Sequence, residues 1–246
     1  MPRYFVDSIP EDGHVILSGE DAHHIGFSLR MAAGEKISVC DLSRERSYEA
    51  AIVSISKDTV SCRIVRELET NGEMPCRVTL YQALPKADKM EQIIQKSVEC
   101  GVWRIRPFES ARSVVRLKNV DFEKKASRWQ KISLEAAKQC GRSLIPDVLE
   151  PLKFEAAIQD MSSQAYDLIL CCYEGNSVEN AKNVLNETNN ANNIAVVIGS
   201  EGGFDPAEIE KIRSAGARIV NIGPRIFRTE TASSVMLSML SYHFEL

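Results

Sequence analysis

Two apolar runs near the C-terminus, each stopped by glycine, constrain the fold more than any other feature of the chain. Residues 194–204 read IAVVIGSEGGF and residues 219–232 read IVNIGPRIFRTETA. A continuous apolar run is the pattern of a strand covered on both faces. A glycine turn followed by helix-starting residues is how such a strand gives way to a helix. In an open α/β sheet, the turns at the carboxyl ends of strands are where ligands bind. Two such turns separated by a single helix therefore predict one site built from both.

The remaining pattern divides the chain. Residues 36–42, 47–55 and 59–68 read as strands, and 20–31 as one helix with Ala22, Ile25 and Leu29 on a common face. That predicts a small, mostly β unit, a barrel. Residues 69–75 (ETNGEMP) are polar, hold Gly and Pro, and read as a linker. The rhythm then alternates. Strands are expected over 77–84, 103–108, 167–173 and 194–198, with helices over 89–100, 119–140 and 178–185, which predicts a parallel α/β sheet. The helix after the first glycine turn has Asp205 as cap, Pro206 in its first turn, Glu208 three residues after the cap and Gly216 at its end. The last helix, from Thr229 to about Phe244, is apolar on most sides, so it must lie in a core or across a dimer interface.

The chain has 246 residues and a net charge of −4. It holds no apolar run long enough to span a bilayer, and MPRYFVD at its start is unlike a signal peptide. Seven cysteines with no CxxC pair point to reduced thiols and a cytoplasmic protein. The charge is uneven: residues 101–146 carry eleven Lys/Arg against four Asp/Glu. Such a segment is either a solvated helix face or a patch for a phosphate backbone. His23 and His24 lack companions for a metal site, so no metal is expected.

The turn Gly199-Ser200-Glu201-Gly202-Gly203 lets backbone approach a ligand closely. It has neither the Lys-Ser/Thr ending of a phosphate loop nor the GxGxxG spacing of a dinucleotide site. Glu201 would repel a triphosphate, so a nucleoside without phosphates suits the loop better. The second turn places Arg225 and Arg228 three residues apart beside Gly223. Thr229 can cap the helix that follows. The two arginines either bind phosphate or carboxylate or pair with Glu201 and Glu230.

GSEGGFDPAEIE and IGPRIFRTETA together resemble the hallmark of the RsmE family, 16S ribosomal RNA uridine-N3 methyltransferases of the SPOUT superfamily. So do QALPK with Lys89-Met90-Glu91, SARSVV (110–115), Arg128-Trp129, EAAKQCGR (135–142) and Arg3-Tyr4-Phe5. The resemblance covers essentially the whole chain. Ser200 stands where the family usually has proline, Phe227 where leucine is common, and Cys140 where serine is common.

The resemblance implies a PUA-like β-barrel over 1–70 and, over 71–246, a SPOUT-type parallel sheet with a C-terminal trefoil knot. It implies S-adenosylmethionine held by three loops: Leu170, Cys172 and Tyr173; Gly199, Glu201, Gly202 and Gly203; and Ile222, Gly223, Ile226 and Arg228, with Thr231 and Ala232 beyond. It implies a homodimer acting on 16S rRNA or the small ribosomal subunit. Arg228, Glu230 and Arg225 are the expected catalytic residues. Arg228 would stabilise charge on the uracil, and Glu230 would orient it or help remove the N3 proton. Arg3, Lys86, Lys89, Arg112, Arg116 and Arg142 are the expected RNA contacts. The competing reading is an RNA-binding protein of this architecture without catalysis; intact Gly199, Gly202, Gly203, Arg225 and Arg228 argue against it. An enzyme using a dinucleotide lacks its glycine fingerprint.

Overall fold

A computed structural model describes all residues except 70–71, 118–121 and 177 with its neighbour 176. The chain divides into two compact units, Met1–Glu73 with Ala137–Ile145, and Met74–Ala136 with Pro146–Leu246.

The first unit is a half-barrel of five strands: β1 (Arg3–Val6), β2 (His14–Ser18), β3 (Lys36–Asp41), β4 (Arg46–Ile55) and β5 (Thr59–Glu67), in the order β1-β3-β4-β5-β2. All pairings are antiparallel except β1 with β3. Register shifts in the β4–β5 ladder between Glu49 and Ala50, and between Ile52 and Ser54, mark where the sheet bends. Alternate side chains fill the core, among them Tyr4, Val15, Leu17, Ile37, Val39, Ile52 and Val60. The helix expected over 20–31 is instead a short α1 (Gly19–His23) running into a π-helical turn, His24–Ser28. The wider turn breaks the 3.6-residue period. Ala22 and Ile25 remain buried, but Leu29 leaves their face and is 42% exposed.

Residues 141–145 belong to this unit for a definite chemical reason. The Glu73 carboxylate accepts from the Arg142 guanidinium (Nε 3.0 Å) and from the amides of Ser143 (2.8 Å) and Leu144 (3.0 Å). Arg3 donates to the Arg142 carbonyl at 2.7 Å. A side chain at Gly72 would put its Cβ 2.9 Å from the Gly141 carbonyl.

The second unit is a parallel sheet of eight strands: β6 (Arg77–Ala83), β7 (Arg104–Glu109), β8 (Asp147–Val148), β9 (Leu152–Lys153), β10 (Leu168–Cys172), β11 (Glu179–Asn180), β12 (Asn193–Ile198) and β13 (Arg218–Asn221). The order is β11-β13-β10-β12-β6-β7-β8, with β9 also on β7. The helices are α2 (Lys89–Glu99), α3 (Phe122–Cys140), α4 (Phe154–Ser163), α5 (Ala181–Glu187), α6 (Pro206–Ser214) and α7 (Thr229–Phe244). The apolar runs are the central strands: Ile194 to Ile198 are all within 2% of full burial. The expected start of α3 at 119 lies outside the described residues. The helix expected from 178 starts at Ala181 instead, because Glu179 and Asn180 pair with β13 and the Asn180 side chain caps the helix by accepting from the Lys182 amide at 2.9 Å. No helix among the described residues is long and apolar enough to cross a membrane.

Candidate active site

β10 lies between β12 and β13, so three carboxyl ends emerge side by side. The two glycine turns, after β12 and β13, flank the end of β10. Together they enclose a cavity of about 520 Å³. From β10 come Cys172, Tyr173 and Glu174; from the first turn Gly199 to Phe204; from the second Ile222, Gly223, Arg225, Ile226 and Arg228, with Ala232 from the first turns of α7. Lys89 and Arg112 complete the wall. Leu170 is inside β10 and fully buried. Neither it, Thr231 nor Glu230 lines the cavity.

Local chemistry holds the turns in place. Gly203 has φ +65°, and its amide donates to the Ser200 carbonyl at 2.9 Å. Gly223 has φ +131°, a conformation that side chains resist. A Cβ on Gly202 would lie 2.9 Å from that of Arg112. Phe204 packs parallel to Phe108, ring centroids 6.3 Å apart, and pins the end of the first turn into the core. α6 begins with the expected capping box: Asp205 accepts from the Ala207 amide (3.1 Å) and Glu208 from the Asp205 amide (2.9 Å). The second Glu208 oxygen accepts from the Ala111 amide at 2.7 Å, fixing the loop that carries Arg112.

Thr229 is not the cap of α7. The cap position is Arg228, and Thr229 is the first helical residue. Its hydroxyl donates instead to the Gly199 carbonyl at 2.6 Å and accepts from Gln82 Nε2 at 2.9 Å. The interaction ties one glycine turn to the other, a tertiary contact that outweighs the local one.

The charges also depart from the sequence reading. Glu201 and Glu230 pair with neither arginine. The Lys89 ammonium sits 3.0 Å from Glu201 and 3.3 Å from Glu230. The Lys86 amide points at both Glu201 oxygens, at 3.2 and 3.3 Å. The hydrogen bond from the Lys89 ammonium to Glu201 raises the Lys89 pKa above the ordinary lysine value. Burial pushes the Glu201 carboxyl up, but hydrogen bonds from its own backbone amide, Lys89 and the Lys86 amide overcome this and hold it below the ordinary value. Arg225 and Arg228 are exposed, and among the described residues their side chains have no hydrogen bond or ion pair. The cavity thus carries two uncommitted guanidinium groups.

The cations expected to meet RNA are differently placed. Arg112 lies on the cavity wall, donating to the Gly202 carbonyl at 3.2 Å. Lys86 is exposed. Arg116 folds back on Glu109 (3.0 Å) and on the carbonyls of Ser110 (3.3 Å) and Ala111 (3.0 Å). In the first unit, Arg3 donates to the Arg142 carbonyl, and Arg142 is 3% exposed against Glu73. Several lining residues were not among the expected site residues, including Glu174, Ile198, Phe204, Val220 and Asn221. Glu174 had the signal of lying just past a buried strand. Asn221 had none beyond its place before the second turn.

A family model described as an RNA methyltransferase domain matches residues 72–241, and one described as an RNA methyltransferase PUA domain matches residues 17–65. Half-barrel, parallel sheet and cavity thus define an RNA methyltransferase of the PUA-plus-SPOUT class. Ribosomal RNA small subunit methyltransferase E of Bacillus subtilis is 36% identical over 256 residues, covering 100% of this chain and 98% of that protein. The chain belongs to this ribosomal RNA small subunit methyltransferase E family, RsmE. The Neisseria gonorrhoeae member, in a crystal structure bound to S-adenosyl methionine, matches with a TM-score of 0.85 and 30% identity over 98% of this chain and 97% of that one. A putative methyltransferase from Legionella pneumophila, in complex with SAM, matches with a TM-score of 0.83 and 31% identity over 98% of this chain and 96% of that one.

Proposed function

We propose that this chain methylates N3 of a uridine in 16S ribosomal RNA, using S-adenosylmethionine, as a homodimer in the cytoplasm. The observation that carries the reading is the cavity built from the ends of β10, β12 and β13 with Arg225 and Arg228 uncommitted on its wall. Its composition suits the cofactor. Glycine backbone at Gly199, Gly202 and Gly203 allows close approach, and Tyr173, Ile222 and Ile226 offer apolar surface to a nucleoside. Glu174 adds a carboxylate for an ammonium or for hydroxyls. When bound, S-adenosylmethionine supplies an electrophilic methyl group on a sulfonium.

The chain's own task is alignment and charge. The N3 proton of the uracil has to leave, and negative charge builds on the flanking oxygens. Arg228 stabilises that charge, its guanidinium being free to do so. Arg225 binds a phosphate beside the target nucleotide. Glu230 acts through Lys89, which it faces, rather than on the uracil. The dimer reading is supported by the outward side of α7, where Val235, Met239 and Tyr242 line an apolar groove of about 530 Å³ with Leu185.

Arg228→Ala tests the assignment. Calorimetric titration with S-adenosylmethionine is expected to change little, while single-turnover methylation of small subunits slows by roughly 10²–10³-fold. Full-rate methylation by this variant defeats the role. A wild-type chain that takes up no S-adenosylmethionine would point to the RNA-binding reading without catalysis.

A further inference from the structure

The first unit carries an aromatic surface that its fold does not use. Phe27 is 75% exposed, and the exposed His23 ring lies parallel to it, centroids 5.0 Å apart at 15°. A single exposed apolar side chain is unremarkable. This pair differs because the backbone beneath it is specialised and fixed. It sits on the junction of α1 and the π-helical turn, a form found mostly as single-turn insertions in helices and frequently at functional sites.

Several of its neighbours on that junction are held in place. Ala22 and Ile25 are buried in the half-barrel core. The Tyr4 hydroxyl and His24 Nδ1 are 3.1 Å apart. Asp21 is held by Lys138 at 2.8 Å. A Cβ on Gly26 would already be 3.4 Å from the Ile55 side chain. The two rings are therefore presented on a rigid base, which lowers the entropic cost of binding a flat ligand.

Three residues on, the chain reverses through Arg30 with φ +52°, a left-handed conformation that a residue with a side chain adopts at a cost. Arg30 is exposed, and among the described residues its side chain has no hydrogen bond or ion pair. An open ring face three residues from an uncommitted guanidinium is a combination suited to an unpaired nucleotide. The base stacks on the ring and the cation takes the phosphate. The RNA methyltransferase PUA domain match spans these residues.

We infer that Phe27, backed by His23 and assisted by Arg30, is a stacking platform for an unpaired base of the RNA substrate, carried by a different unit from the one that holds the methyl-transfer cavity. The inference rests on the reading of the substrate as ribosomal RNA. The platform increases affinity for the substrate and takes no part in chemistry.

Full-length Phe27→Ala, Phe27→Leu and Phe27→Trp, assayed with small ribosomal subunits, test it. Phe27→Ala is expected to raise KM for subunits about tenfold, the usual effect of losing one base–aromatic stack, with kcat and S-adenosylmethionine affinity unchanged. Phe27→Leu keeps the apolar contact without the π face and should stay impaired, while Phe27→Trp restores KM. The fluorescence that Phe27→Trp adds over wild type should be quenched by small-subunit RNA. Wild-type KM in Phe27→Leu would mean a generic apolar contact, as with a protein partner, and would overturn the platform. So would unchanged KM in Phe27→Ala. If the wild-type chain transfers no methyl group, the functional reading fails, and the quenching arm still decides the platform by itself.

Discussion

Lys89 shows what a single residue can determine here. Sequence placed it among cations for RNA, but it bridges Glu201 of the first glycine turn and Glu230 at the start of α7. Removing it leaves two carboxylates close together without their cation. Lys89→Met is expected to weaken S-adenosylmethionine binding about fivefold (~1 kcal/mol), the scale of partly exposed ion pairs. The pH dependence gives a sharper signature. Glu201 titrates below its ordinary value of 4.5 in the wild type, so the pairing is intact above that value and lost as pH falls through the lowered one. Affinity should stay flat from neutral pH down to the ordinary carboxyl value of 4.5 and fall as pH passes through the lowered one. Without Lys89 the Glu201 carboxyl rises and the acid limb moves to higher pH; calorimetry across that range checks the shift, and coincident profiles would remove Lys89 from the account. Residue types were legible in sequence wherever a turn announced them, as with Arg225 and Arg228 beside Gly223. Partners were not legible: Lys89, Glu201 and Glu230 come from three segments that only the sheet order brings together, and the same holds for Thr229 with Gly199.

At the level of elements, periodicity and capping decide how much can be read. The start of α6 was legible because the capping box is local: Asp205, Pro206 and Glu208 suffice. What sequence could not show is that Glu208 also holds the Ala111 amide, joining α6 to the loop that carries Arg112. The two roles can be separated. Asp205→Ala should cost about 1 kcal/mol in urea denaturation. Glu208→Ala should cost more, roughly 1–3 kcal/mol for each of the two amides it strands, and should also weaken cofactor binding. Equal losses would mean the Ala111 bond contributes nothing. The π-helical turn was missed for the converse reason. Nothing in a 3.6-residue pattern signals one inserted residue, and the outward swing of Leu29 is its only trace. Short strands such as β11, with two residues, exist only through pairing with β13.

At the scale of the whole molecule, fully apolar runs alternating with helices make a parallel sheet whose carboxyl ends form a site. The structure places Gly202 and Gly223 on one cavity, and it does so because β10 separates β12 from β13 by a single strand. The attachment of residues 137–145 to the first unit was hidden, since the Glu73–Arg142 pair spans a long sequence separation and carries no local pattern. The central claim is that this cavity delivers a methyl group to uridine N3 of small-subunit RNA. Incubating the full-length protein with small subunits lacking the modification and isotope-labelled S-adenosylmethionine, then digesting the RNA for nucleoside mass spectrometry, tests it directly. The account predicts label in N3-methyluridine at a single site; no label, or label on a ribose or another base, would contradict it.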